Sequence, residues 1–170
     1  MGNWKKTDAK DLLKGLRDIE GKIQKRIREI EAGAGRGLVE AGAFIMSKSV
    51  PRAPVDKGPL RRSAFLRPNS GANVLYADDR GNVALIGEPP ENVTSVDIGY
   101  AEEYAVVQHE HTEFDHPSMA RQKAYGKEGV VDPNFTEGFN GEAKFLENPL
   151  RENQNKIVEI VARRAKESGR

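Results

Sequence analysis

Three histidines and three carboxylates fall within His109 to His116 (HEHTEFDH), the densest group of metal-ligand side chains in the chain. On a strand, His109 and His111 point the same way, and Glu110 or a neighbouring carboxylate could join them in a nitrogen and oxygen site for zinc or another divalent metal. A metal held there could activate water, so a small metal-dependent nuclease or hydrolase using His109, Glu110 and His111 is one reading. The spacing matches no defined metal motif, however, and the rest of the chain supplies no obvious further ligand. The preferred reading is a polar strand end or interface loop, with no metal, no cofactor and no catalysis.

A second group is basic. Arg52, Lys57, Arg61, Arg62 and Arg67 lie around Phe65, and phosphate contacts from Arg61 and Arg62 would give salt-dependent DNA binding of the kind a packaging accessory protein needs. Such runs more often form solvated faces or partner contacts. The same discount applies to Arg151, Arg163, Arg164 and Lys166. The AGAGRG stretch at residues 32–37 lacks a preceding strand and the Gly-Lys-Ser/Thr ending of a phosphate loop. It reads as a place where two helices approach closely. Ser63 and Ser118 sit in no nucleophile elbow.

Bulk properties narrow the classes. Lys and Arg number 27 against 26 Asp and Glu, a net charge of +1, so the molecule as a whole has no bias toward nucleic acid. The absence of cysteine removes disulfides, thiolate zinc sites and cysteine nucleophiles. At 170 residues the chain fits one domain. Its 37% hydrophobic content is low for a globular domain, which predicts a thin core completed by oligomerisation. No stretch approaches the roughly 20 apolar residues of a spanning helix, and the N-terminus lacks the apolar run of a secretory signal. A soluble protein made in the cytoplasm is expected.

The elements that must position these groups follow from periodicity. Leu12, Leu13, Leu16, Ile19, Ile23, Ile27 and Ile30 form one narrow apolar stripe with three-and-four spacing, an amphipathic helix. Gly33, Gly35 and Gly37 invite a kink or break. The pattern resumes at Leu38, Ala41 and Phe44 or Ile45, and Pro51 ends it near Ser49. A helix of that length exceeds the diameter of its domain, so part of it must lean on another subunit.

Pro51 to Pro59 reads as a turn-rich connector and Leu60 to Leu66 as the start of a strand. Residues 74–76 and 83–86 flank a turn and predict a hairpin. Val93 to Gly99 alternates as a strand, and Tyr104 to His111 suits either a short helix or a strand. Residues 112–141 read as one long loop. A last helix follows with Pro149 in its first turn, with Leu146, Leu150, Ile157, Val158 and Val161 on its apolar face and with a fraying polar tail. The fold class is α+β: a helical arm over residues 1–50, a central antiparallel sheet of about four strands over 51–111, the loop, and a C-terminal helix over 142–170.

Three stretches in order resemble a known family. VPRAPVDKGPLRRS at Val50 to Ser63 resembles the APVDTGxLRxS signature of phage tail-completion and head-tail joining proteins of the gene-ten-product-like family, with Lys57 in place of threonine and Pro59 at a variable position. IGYAEEYAVVQHEHT at Ile98 to Thr112 is similar to the family's VGxxxxYAxxxExGT stretch, with His111 in place of glycine. KFLENPL at Lys144 to Leu150 is similar to PFLRPAL, with Pro149 retained.

The resemblance implies a non-catalytic virion subunit, built in the host cytoplasm. It would form a homo-oligomeric ring, a hexamer or alternatively a dodecamer, in the neck or at the top of the tail. Its neighbours would be connector or head-closure proteins on one side and tail terminator or tail tube proteins on the other, with DNA passing through unbound and no membrane involved. Arg61, Arg62, Tyr104 and Glu110 then become the expected subunit or partner contacts.

Overall fold

A computed structural model describes residues 9–54, 59–110 and 141–169. One helix, α1, runs without interruption over Ala9–Ser49, about 61 Å at 1.5 Å per residue. It ends where the sequence ends it, since Val50–Arg52 tightens into a single 3-10 turn carrying Pro51.

The three glycines do not give the expected kink or break; each is a contact point, and the close approach of two helices read from AGAGRG occurs at Gly33 and Gly37. A Cβ on Gly33 would lie 2.6 Å from the Arg164 carbonyl oxygen, one on Gly37 2.7 Å from Val161 Cα, and one on Gly35 2.6 Å from the Val93 carbonyl oxygen. The close packing admitted by the missing side chains offsets their low helix propensity.

Pro59–Arg62 forms a short helix, α2, where the reading had placed the start of a strand; Pro59 takes the first helical position, which suits its fixed φ. Strand β1 follows at Ala64–Pro68, then β2 at Leu75–Ala77, β3 at Val83–Leu85 and β4 at Val96–Tyr100. The four strands form two antiparallel ribbons and not one sheet: β1 pairs with β4, Leu66 opposite Ile98, and β2 with β3, Tyr76 opposite Ala84. Asn73 explains the seam. Its Oδ1 accepts the Leu66 N–H at 2.9 Å and the Leu75 N–H at 3.0 Å, so between β1 and β2 a side chain stands in for ladder bonds beside the one backbone bond from the Val74 N–H to the Leu66 carbonyl at 2.9 Å.

Tyr104 to His111 resolves as a short helix, α3, at Ala105–Glu110. The C-terminal helix is two: α4 at Glu147–Glu152, then α5 at Gln154–Ser168, divided at Asn153. Helix α5 lies antiparallel along α1, with Val161 near Gly37 and Ser168 near Gly33. Its buried residue is Ile160, while Val158 is 67% exposed, so the predicted apolar face is rotated. The polar tail is docked to its end: Arg163 and Arg164 both bond the Glu40 carboxylate, and Arg36 donates to Ser168 Oγ at 2.6 Å. The predicted loop at residues 112–141 lies outside the described residues except for Gly141.

The core has two parts. Val39, Met46, Val50, Leu66, Leu75 and Val93 join the middle of the chain to the second half of α1. Ala53, Leu60, Ala105 and Phe145 form a smaller cluster beside it.

Candidate functional site

The Pro-rich corner is a structural junction. Arg61 is 1% exposed, and its guanidinium donates to three backbone carbonyls: Pro51 at 2.7 Å, Ala53 at 2.9 Å and Asp79 at 3.3 Å. Burial pushes its pKa down, with partial compensation from Tyr100, Asp78 and Asp79, yet a guanidinium stays charged in proteins. The residue therefore cannot present its fork to DNA or to a partner, which corrects the expectation drawn from the basic run. Arg62, its neighbour, remains exposed, with Asp79 3.9 Å away.

Arg52 pins the same corner to α4, reaching both oxygens of Glu152 at 2.9 and 2.7 Å and Glu142 at 3.3 Å. Beneath it, Ser49 Oγ and the Tyr100 hydroxyl are 2.7 Å apart. Burial raises the Tyr100 hydroxyl far above its usual range, so it stays protonated.

Among the described residues, the histidine and carboxylate group forms no ligand set. His109 sits at the end of α3, its ring edge-on to Phe145 at 5.1 Å. Its Nδ1 lies 2.7 Å from Glu110 Oε1 and its Nε2 accepts the Glu147 N–H at 3.4 Å. A neutral ring protonated on Nδ1 satisfies both contacts and leaves neither nitrogen directed at a metal. Glu110 bonds Lys144, and Lys144 also reaches Glu147 at 3.3 Å. Those hydrogen bonds, Lys144 first and His109 second, hold the Glu110 carboxyl below its ordinary range. No group of three metal-ligand residues occurs among the described residues; His111 and His116 lie outside them. Tyr104 stands half exposed at the start of α3.

Two of the basic residues of α5 are held within the chain. Arg163 and Arg164 converge on Glu40, so they form no open phosphate-binding patch.

What the described residues leave open is the first half of α1. Residues 9–28 are exposed on every face, and the large aliphatic groups of the stripe range from Leu12 at 59% to Ile30 at 42%. Sequence reasoning found this stripe as an amphipathic pattern; that no element among the described residues covers it is a tertiary fact. It missed Glu40 and Asn73, and the fastening role of Arg52, polar groups that tie distant segments and carry no local pattern.

The three resemblance-bearing stretches meet in space. Ala53 and Leu60 from the first, Ala105 and Tyr100 from the second, and Phe145 and Leu146 from the third make up the smaller core cluster, with Tyr100 and Phe145 rings edge to face at 5.0 Å. No family model, curated protein or solved structure matches the chain. No helix among the described residues is long and apolar enough to cross a membrane.

Proposed function

We propose that this chain is a non-catalytic assembly subunit of the phage neck, forming a ring that joins the DNA-filled head to the tail. The observation that carries this reading is the helical arm: 20 consecutive residues, 9–28, exposed all round and bearing an aliphatic stripe that nothing in the described chain covers. In proteins most helical stability comes from packing an amphipathic face against a neighbour and not from propensity, and a polar-all-round surface would be the economical choice for a free arm. A stripe of leucine and isoleucine is what an arm needs if a protein surface is to lie on it.

The meeting of the three family-like stretches in one cluster supports the particular family. They are separated by tens of residues, and their apolar members, Leu60, Tyr100 and Phe145, touch a common centre. Corner residues such as Arg52 and Arg61 keep that centre rigid. The ring's neighbours would be a connector or head-closure protein and a tail terminator or tube protein, with DNA passing without sequence-specific contact.

The test is direct imaging of purified protein, alone and mixed with head and tail fractions of its phage. Closed rings located between head and tail are expected. A protein that stays monomeric and joins neither fraction would remove the reading.

A further inference from the structure

The partner of the arm can be specified further, on the premise that the chain is an assembly subunit. We propose that the arm of one copy packs stripe to stripe on the arm of another copy, the two running parallel, with the Lys22 and Arg26 flank of one against the Glu20 and Glu31 flank of the next.

The first argument is the geometry of the stripe. From Leu12 to Ile30 it makes five turns in eighteen residues, which is the 3.6-residue period of a straight helix. The aliphatic line therefore runs parallel to the axis and meets a second straight helix along its whole length. Helix α5 demonstrates that α1 takes a helix on this side: it lies along Gly33 and Gly37 and reaches Ile30 through Gly169. The stripe is continuous with that interface, and from Ile27 back to Leu12 no described residue covers it.

The second argument is charge. At about 100° per residue, Lys22 and Arg26 fall on one side of the Ile23 line and Glu20 and Glu31 on the other. Opposite flanks of two helices meet when the helices are parallel, and like flanks meet when they are antiparallel. A parallel pair thus sets basic against acidic; an antiparallel pair sets Glu20 against its own copy. Glu29 lies on the basic side too, 3.6 Å from Arg26 and 3.9 Å from Lys25 on the rear of the helix, so between residues 20 and 31 that flank keeps its net positive character through Lys22 and Arg26 against the single Glu29. The same rule extends to a closed ring of parallel arms, in which each basic flank meets the next acidic one and the assembly has a polar axis.

The third argument is area. Seven aliphatic groups, each near half exposed, offer on the order of 600 Å² per copy, or roughly 1,200 Å² for one contact, at the lower edge of specific stable interfaces. Self-association at micromolar concentration is expected.

The experiment uses the full chain, which contains no cysteine and so gives no background cross-link. Leu12→Cys should form a Leu12-to-Leu12 disulfide under mild oxidation. A Leu12→Cys protein that stays reduced, while Leu12→Cys with Ile30→Cys cross-links between copies, would establish antiparallel arms and overturn the proposal. By light scattering, the wild type should exceed the 18.8 kDa monomer mass, and Ile23→Asp should return it to monomer. Lys22→Glu with Arg26→Glu should also return it, and adding Glu20→Lys with Glu31→Lys should restore assembly.

Because residues 9–28 are exposed along their whole length, the melting temperature of the body serves as the folding control. A wild type that is monomeric and binds anionic vesicles through the stripe would overturn the proposal. Entry into phage particles is scored separately: arm variants that still enter while self-association is stripe-independent defeat this inference and leave the neck reading intact. Stripe-dependent association without entry defeats only the neck reading.

Discussion

Replacement of Arg61 by alanine tests the corner most severely. The side chain is 1% exposed and closes two short bonds, to the Pro51 carbonyl at 2.7 Å and the Ala53 carbonyl at 2.9 Å, with a longer one to Asp79 at 3.3 Å. Hydrogen bonds from a charged donor are worth about 1.5 to 3 kcal/mol each, and a buried acceptor left empty costs about 1 to 3 kcal/mol. The two short bonds dominate, so the loss should be about 3 to 5 kcal/mol, with water entering the void setting the lower figure. For a chain of this size each kcal/mol lowers the melting temperature by about 2 to 4 °C, giving a drop of roughly 6 to 20 °C.

Thermal unfolding followed by circular dichroism reads it. Arg62→Ala is the control: its ion pair with Asp79 is long and exposed, so it should cost less than about 0.5 kcal/mol. Arg61→Lys should fall between, since an ammonium keeps the charge and loses the planar fork. Equal shifts for Arg61→Ala and Arg62→Ala would refute the assignment of Arg61 to the carbonyl cradle.

Three further outcomes follow from packing, helix propensity and charge. Gly37→Ala puts a Cβ 2.7 Å from the Val161 backbone, so overpacking of about 1 to 3 kcal/mol should outweigh a propensity gain of up to about 1 kcal/mol and lower the melting temperature. Gly21→Ala meets nothing within 4 Å and should instead slow amide exchange in the arm; protection unchanged or reduced would contradict the helical arm. For Glu40, burial raises the carboxyl pKa, but hydrogen bonds and charge from Arg164 and Arg163 more than offset this and leave it lowered. A carboxylate whose folded pKa lies below its unfolded value of about 4.3 stabilises the fold above that pH, and the contribution is lost as pH falls through the folded value. Glu40→Gln should therefore shrink the drop in melting temperature between about pH 6 and about pH 3, and an undiminished drop would show that the α1 to α5 clamp is not electrostatic.

Much of the fold was legible because its signals are local. The 3.6-residue stripe from Leu12 to Ile30, the stop at Ser49 before Pro51 and the hairpin around Asp78 to Asn82 each follow from neighbours in sequence, and the structure places all three accordingly. The site was less legible. The helix α3 at Ala105–Glu110 removed the strand on which the histidine pairing depended, and no pattern distinguishes Arg61 from Arg62, adjacent residues of one type.

The sequence by itself determined that a long amphipathic helix precedes short strands and a C-terminal helical segment, because periodicity and proline fix backbone state residue by residue. Only the tertiary structure decided which groups meet. The glycines of α1 became contacts and not breaks because α5 lies on two of them and Val93 on a third. Ile160 faces inward in place of Val158 because α5 is rotated onto Glu40 and Gly37. Among the described residues the stripe stays uncovered because α5 and Gly169 reach only as far as Ile30. Each of these depends on where a distant segment comes to rest, and burial is a property of that meeting and not of either segment alone.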